Sequence, residues 1–100
     1  MKLAYDASAL AEIEDAADWY EAKGGGLAHG FLAELTASIR RLLEYPNAWP
    51  LVGQRVRQLQ LKRFPYGIVY QVRGEEIFVV AVAHLHRRPR YWTQRLEDRS

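Results

Sequence analysis

The sequence predicts an α+β fold: an N-terminal helical hairpin packed on a three- to four-stranded antiparallel sheet, followed by a short C-terminal helix. Three observations predict it. Apolar residues recur at helical spacing as far as Leu42. The run Gly24-Gly25-Gly26 interrupts that pattern once. Beyond Pro46 and Pro50 the period changes to the two-residue alternation of strands. A chain of 100 residues is read as one domain spanning 1–100.

Residues 2–5, KLAY, read as a short first strand. Asp6 or Ser8 can cap the first helix, because either side-chain oxygen can accept an orphan backbone N–H. Leu10, Ile13, Ala17 and Tyr20 then recur on one face, with Glu12, Glu14, Asp15 and Asp18 largely between them. The three glycines stop this helix, since glycine enters left-handed conformations without steric cost. Leu27, Phe31, Leu35, Ile39 and Leu42 form the stripe of a second helix that Pro46 ends. So short a linker predicts an antiparallel hairpin.

PNAWPLVG (46–53) reads as a loop. RVRQLQLKRF (55–64) alternates, with Leu59 and Leu61 on one face and Gln58, Gln60 and Lys62 on the other. GIVYQVR (67–73) is rich in β-branched and aromatic residues, and Gly74-Glu75 predicts a tight turn into EIFVVAVAH (76–84). Simple alternation puts Ile77, Val79, Ala81 and Ala83 on one face of that strand and Phe78, Val80 and Val82 on the other. A strand apolar on both faces needs cover on both, and the hairpin covers only one. Either the tail with Tyr91 and Trp92 covers the second face, or a groove is left there for a partner. The tail RPRYWTQRLEDR is expected to form a short helix after Pro89.

Composition narrows the function classes. Without cysteine there are no disulfides and no thiolate metal sites. No apolar window is long enough for a membrane span, and the N-terminus lacks the apolar run of a signal peptide, so a cytoplasmic location is expected. Residues 1–45 carry four bases and eight acids, a net of −4, whereas residues 46–100 carry ten bases and four acids, a net of +6. Nine of those ten bases are arginine, whose planar fork suits phosphate and carboxylate, so an anionic partner is expected.

The hairpin segment WYEAKGGGLAHGFLAEL, then RFPYGIVYQV (63–72) and AVAHLHRRPRYW (81–92), in that order, resemble the RelE/ParE superfamily of toxins from bacterial type II toxin–antitoxin modules. The likeness is to its ParE-like, plasmid-stabilisation branch and runs from about Tyr5 to Arg95. The resemblance implies a cognate antitoxin, a toxin–antitoxin hetero-oligomer and no cofactor. It also implies one of two activities. ParE-like toxins inhibit DNA gyrase; RelE-like toxins cleave mRNA on the ribosome.

Metal-free RNA cleavage needs a general base, a general acid and cations on the developing phosphorane charge. The RelE pattern supplies them with two lysines, two arginines and a tyrosine. Those positions fall here on Gln58, Gln60, Gly67, Leu85 and Tyr91, so only the tyrosine is retained. A gyrase inhibitor is therefore the first expectation, with no catalytic set. Its candidate target- or antitoxin-binding residues are Arg63, Arg87, Arg88, Arg90, Tyr91, Trp92 and Arg95. The alternative is an endoribonuclease with a rearranged site of His84, His86, Arg88 and Tyr91, because histidine titrates near neutral pH. Against both readings stand plainer ones. A histidine can cap the strand end, arginines can be solvated, Arg63 can pair with a carboxylate of its own domain, and Tyr91 and Trp92 can pack the tail on the sheet. No metal site is expected, since no third ligand lies near the two histidines.

Overall fold

The computed structural model describes residues 1–97. Strand β1 (Lys2–Tyr5) leads into helices α1 (Ala7–Lys23) and α2 (Leu27–Glu44). Strands β2 (Leu51–Gly53), β3 (Val56–Gln60), β4 (Tyr66–Arg73) and β5 (Glu76–His84) follow, then α3 (Thr93–Glu97). The sheet has five strands in the order β1-β5-β4-β3-β2. The predicted hairpin, meander and C-terminal helix are all present.

The strand count and direction differ from the expectation. β1 pairs with β5 in parallel, Lys2 opposite Glu76 through Tyr5 opposite Val79, so the sheet is mixed. A parallel partner so distant in sequence leaves no hairpin turn to reveal it. β2 lies inside the segment read as a loop, pairing Leu51 with Arg57 and Gly53 with Val56. Three residues are too few to show a period of two.

Asp6, not Ser8, is the α1 cap: its carboxylate accepts from the Ser8 N–H at 2.8 Å. The helix faces inward with Ala9, Ala16 and Tyr20, and Leu10 is 51% exposed. The stripe is thus turned from the expected one. Two alanines bring α1 close to β5 and place Glu12, on the same side, against the sheet. The linker glycines have φ of 77°, 68° and 75°, a succession that side chains resist. On α2 the expected stripe holds: Phe31, Leu35, Ile39 and Leu42 are buried, and Leu27 at the helix start is exposed. Tyr20, Phe31, Phe64 and Tyr66 pack edge to face or tilted, with centroids 5.0–6.3 Å apart, joining hairpin to sheet.

The β4–β5 ladder contains a bulge. Ile68 pairs with Val82 and Val69 with Ala81, but Tyr70 pairs with Val79, so Val80 has no opposite residue. The extra residue shifts the phase of β5. Ile77, Val79 and Val82 join the core beneath the helices, while Phe78, Val80, Ala81 and Ala83 join a second core on the other face. The simple alternation expected for this strand is therefore corrected beyond Val80.

That second face is covered by the chain itself. Trp92, 4% exposed, packs with Val56, Val69 and the β5 residues, and Tyr91, Leu96 and Val52 extend the cover. α3 begins at Thr93 rather than directly after Pro89, because Arg90 adopts φ of 61° and turns the chain first. The Thr93 hydroxyl donates to the Arg90 carbonyl at 2.7 Å and closes that turn. Removing a fully packed aromatic costs about 3–5 kcal/mol. Trp92→Ala is expected to lower unfolding free energy by about 3 kcal/mol in denaturant titration, at the lower end of that range because the tail can partly collapse.

Candidate functional site

The arginine-rich stretch is the turn between β5 and α3. Its first half is tied by the backbone. The Leu85 N–H donates to the Pro65 carbonyl at 2.9 Å, and the Arg87 N–H to the His84 carbonyl at 3.0 Å. The His86 N–H donates to His84 Nδ1 at 3.1 Å, and the two imidazoles lie 5.0 Å apart. His84 is half-buried with its ring edge-on to Tyr66, so it does close the strand end.

The second half is tied by side chains that converge on Glu12. Its Oε2 accepts from the Tyr91 hydroxyl at 2.5 Å and from Arg95 Nη2 at 3.0 Å. Its Oε1 accepts from Arg95 Nη1 at 2.9 Å and from the Val82 N–H at 3.0 Å. Arg95 Nη1 also donates to the Val80 carbonyl at 3.0 Å. The residues around the bulge thus find partners in this cluster. Arg95 and Glu12 have side chains only 18% and 15% exposed, so the pair is desolvated and gains from its forked geometry.

Tyr91 is held as a neutral donor. Burial, then the hydrogen bond to Glu12 and that residue's charge, push its phenol far above the ordinary value. Hydrogen bonding to Glu12 likewise raises Arg95. The Arg87 guanidinium lies over the Tyr91 ring, 4.0 Å from its centroid.

Two grooves flank the turn. One, of about 450 Å³, runs between α1 and the sheet and is lined by Asp15, Trp19, Tyr66, His84, Arg87 and Tyr91. Trp19 is 56% exposed there. The other, of about 230 Å³, lies on the second face and is lined by Gln58, Gln60, His84, Arg87, Arg88 and Trp92.

The structure brings Arg87, Arg88, Arg90, Tyr91 and Trp92 together at this second groove. Arg87, Arg88 and Arg90 are exposed, and none has a carboxylate partner among the described residues. Arg95 does not face outward with them but is engaged by Glu12. Arg63 lies elsewhere. Its backbone N–H donates to Glu34 at 3.1 Å, beside that of Lys62 at 2.5 Å, and its guanidinium sits over Phe64 and against Gly30. Glu34 accepts from the Arg63 main chain, and no ion pair between the Arg63 guanidinium and a carboxylate is found among the described residues.

Of the five positions compared above, four line the second groove, and the fifth borders it. Gln60 pairs across the sheet with Gly67, and Gln58, Leu85 and Tyr91 complete the set. A Cβ at Gly67 would lie 2.4 Å from Gln58 Nε2, so the glutamine occupies the space a larger side chain would need. Among the described residues no group of three histidines, aspartates or glutamates is gathered to hold a metal. No helix among them is long and apolar enough to cross a membrane.

The sequence pattern places Glu12 with Glu14, Asp15 and Asp18 between the apolar positions of α1 and so does not single it out. Its offset of three from Ala9 and four from Ala16 puts it on the small-residue face, the one signal that could have marked it.

The hairpin, mixed sheet and tail-covered second face define the class: a toxin fold of the RelE/ParE superfamily. The family model of the ParE toxin of type II toxin–antitoxin systems, parDE, matches residues 3–89, and the chain belongs to that family. Among solved structures it is similar to the chromosomal ParDE system from P. aeruginosa, with a TM-score of 0.75 and 23% identity over 86% of this chain and 97% of that one. It is also similar to the isolated E. coli RelE toxin, with a TM-score of 0.56 and 22% identity over 99% of this chain and 98% of that one. No curated protein matches.

A raised phenol pKa favours the protonated form in the folded state. The unfolded chain releases its proton first, so this stabilisation is complete below about pH 10 and is lost as pH rises above it. Tyr91→Phe is expected to be less stable than the parent at neutral pH but to lose less stability between about pH 10 and 12, measured by denaturant titration across pH.

Proposed function

We propose that this ParE-family chain is the toxin of a type II toxin–antitoxin module that inhibits DNA gyrase by binding it, and that a cognate antitoxin neutralises it. The observation that carries the reading is the composition of the second groove. The positions that would hold lysines and arginines for RNA cleavage hold Gln58, Gln60, Gly67 and Leu85. Neutral amides, a glycine and a leucine cannot offset phosphorane charge. The remaining tyrosine is a neutral donor to Glu12, a poor proton acceptor. What is left is a hydrogen-bonded turn carrying Arg87, Arg88 and Arg90, which suits docking to carboxylates or phosphates of a target.

Two features support the antitoxin. The chain resembles a ParDE system in fold. The groove lined by Trp19 and Tyr66 also remains open to an amphipathic segment, with Arg87 at its edge for an acid.

The second reading, a ribosome-dependent endoribonuclease acting on mRNA, is favoured by one observation. His84 lines both grooves beside Arg87, with the His86 ring edge-on to it. Expression of the toxin alone separates the two. The gyrase reading expects filamentation, an SOS response and altered plasmid supercoiling, with translation intact at first. Rapid translation arrest with codon-positioned mRNA cuts would overturn it. His86→Ala is expected to retain full toxicity, whereas a loss of about a hundredfold or more would be the signature of acid–base catalysis.

A further inference from the structure

We propose that Glu12 is a positioning residue for the arginine turn, acting through Tyr91 and Arg95. The proposal rests on the reading that Arg87, Arg88 and Arg90 contact the target through its carboxylates or phosphates.

The turn is asymmetric. Its β5 end is held by three backbone donors, from Leu85, His86 and Arg87. Its α3 end has a longer backbone bond, from the Tyr91 N–H to the Arg88 carbonyl at 3.3 Å, and two bonds from Thr93, its N–H at 3.1 Å and its hydroxyl at 2.7 Å, onto the Arg90 carbonyl, all within six residues of the turn itself. Arg90 there stands at φ of 61°, a conformation uncommon for any residue but glycine. Those local bonds close the turn on itself; the Tyr91 side chain ties it to the rest of the fold, and Glu12 accepts from Tyr91 at 2.5 Å. The same ring carries the Arg87 guanidinium at 4.0 Å, so the orientation of Arg87 is set two steps from Glu12. Arg95 grips both Glu12 oxygens and anchors α3 behind the turn.

Glu12 itself has nothing to offer a partner. A carboxylate has about four lone-pair sites, and Tyr91, Arg95 twice and Val82 fill them. Its value to binding is preorganisation: arginines held ready lose less freedom on docking than arginines on a loose loop.

Glu12→Gln keeps the shape, but one of its two head atoms becomes a donor facing donors. Amide hydrogen exchange, affinity for purified gyrase and a double-mutant cycle with Arg87→Ala test the proposal together. Exchange over residues 86–92 is expected to accelerate about tenfold or more in Glu12→Gln, with α2 and β4 unchanged. Gyrase affinity is expected to fall about tenfold. Combined with Arg87→Ala, the loss should be smaller than the product of the two single losses, because part of the Glu12 effect runs through Arg87. Unchanged exchange across 86–92 would overturn the proposal, as would losses that multiply in the double variant, since a merely structural role gives independent effects. If Glu12→Gln does not fold, Glu12→Asp, which keeps the charge but reaches less far, is read the same way. Should the Arg87→Ala/Arg88→Ala/Arg90→Ala variant bind gyrase like the parent, the target reading fails by itself. The exchange data then still decide whether Glu12 orders the turn.

Discussion

The carboxylate of Glu12 is the constraint on which the C-terminal third of the molecule depends. It receives four donors from three places: the α3 arginine, the tail tyrosine and a β5 amide. Hydrogen bonds to a charged group are worth about 1.5–3 kcal/mol each, and an unpaired buried carboxylate would be costly, so the donors and acceptor must stay together. Helix α1 accommodates this by turning Ala9 and Ala16 inward and leaving Leu10 exposed. The rotation of one helix and the docking of the tail follow from one requirement.

The bulge at Val80 is the second determinant. By adding one residue to β5 it moves Ala81 and Ala83 to the face away from the helices. Small residues there leave room for the Trp92 indole, and the covered face needs no second protein to shield it. The same bulge places the Val80 carbonyl and the Val82 amide where Arg95 and Glu12 meet them. An open apolar face, one of the two outcomes the sequence allowed, is thus closed by the chain's own tail. The exposed surface beside it is polar and cationic: Gln58, Gln60, Arg87, Arg88 and Arg90.

How much of this was legible depended on the range of the interaction. The α2 stripe, the glycine linker and the β3–β4–β5 meander are local patterns, and they were read correctly. The parallel pairing of β1, the three-residue β2 and the phase shift in β5 depend on partners far away in sequence. The candidate site divides in the same way. The cluster of arginines with Tyr91 and Trp92 was visible as composition, and its members do gather at one groove, except Arg63 and Arg95. That Arg95 is an internal strut could not be read without Glu12, an acid 83 positions away that looked like any other on a solvated helix.

The proposed role of this fold is to present the cations of Arg87, Arg88 and Arg90 for docking. A supercoiling assay with purified DNA gyrase tests it most directly. The account predicts that the purified toxin inhibits supercoiling in proportion to its concentration, and that replacing Arg87, Arg88 and Arg90 together by alanine abolishes inhibition while the fold persists. Undisturbed supercoiling at saturating toxin, with cleavage of mRNA on programmed ribosomes by the same preparation, would contradict it.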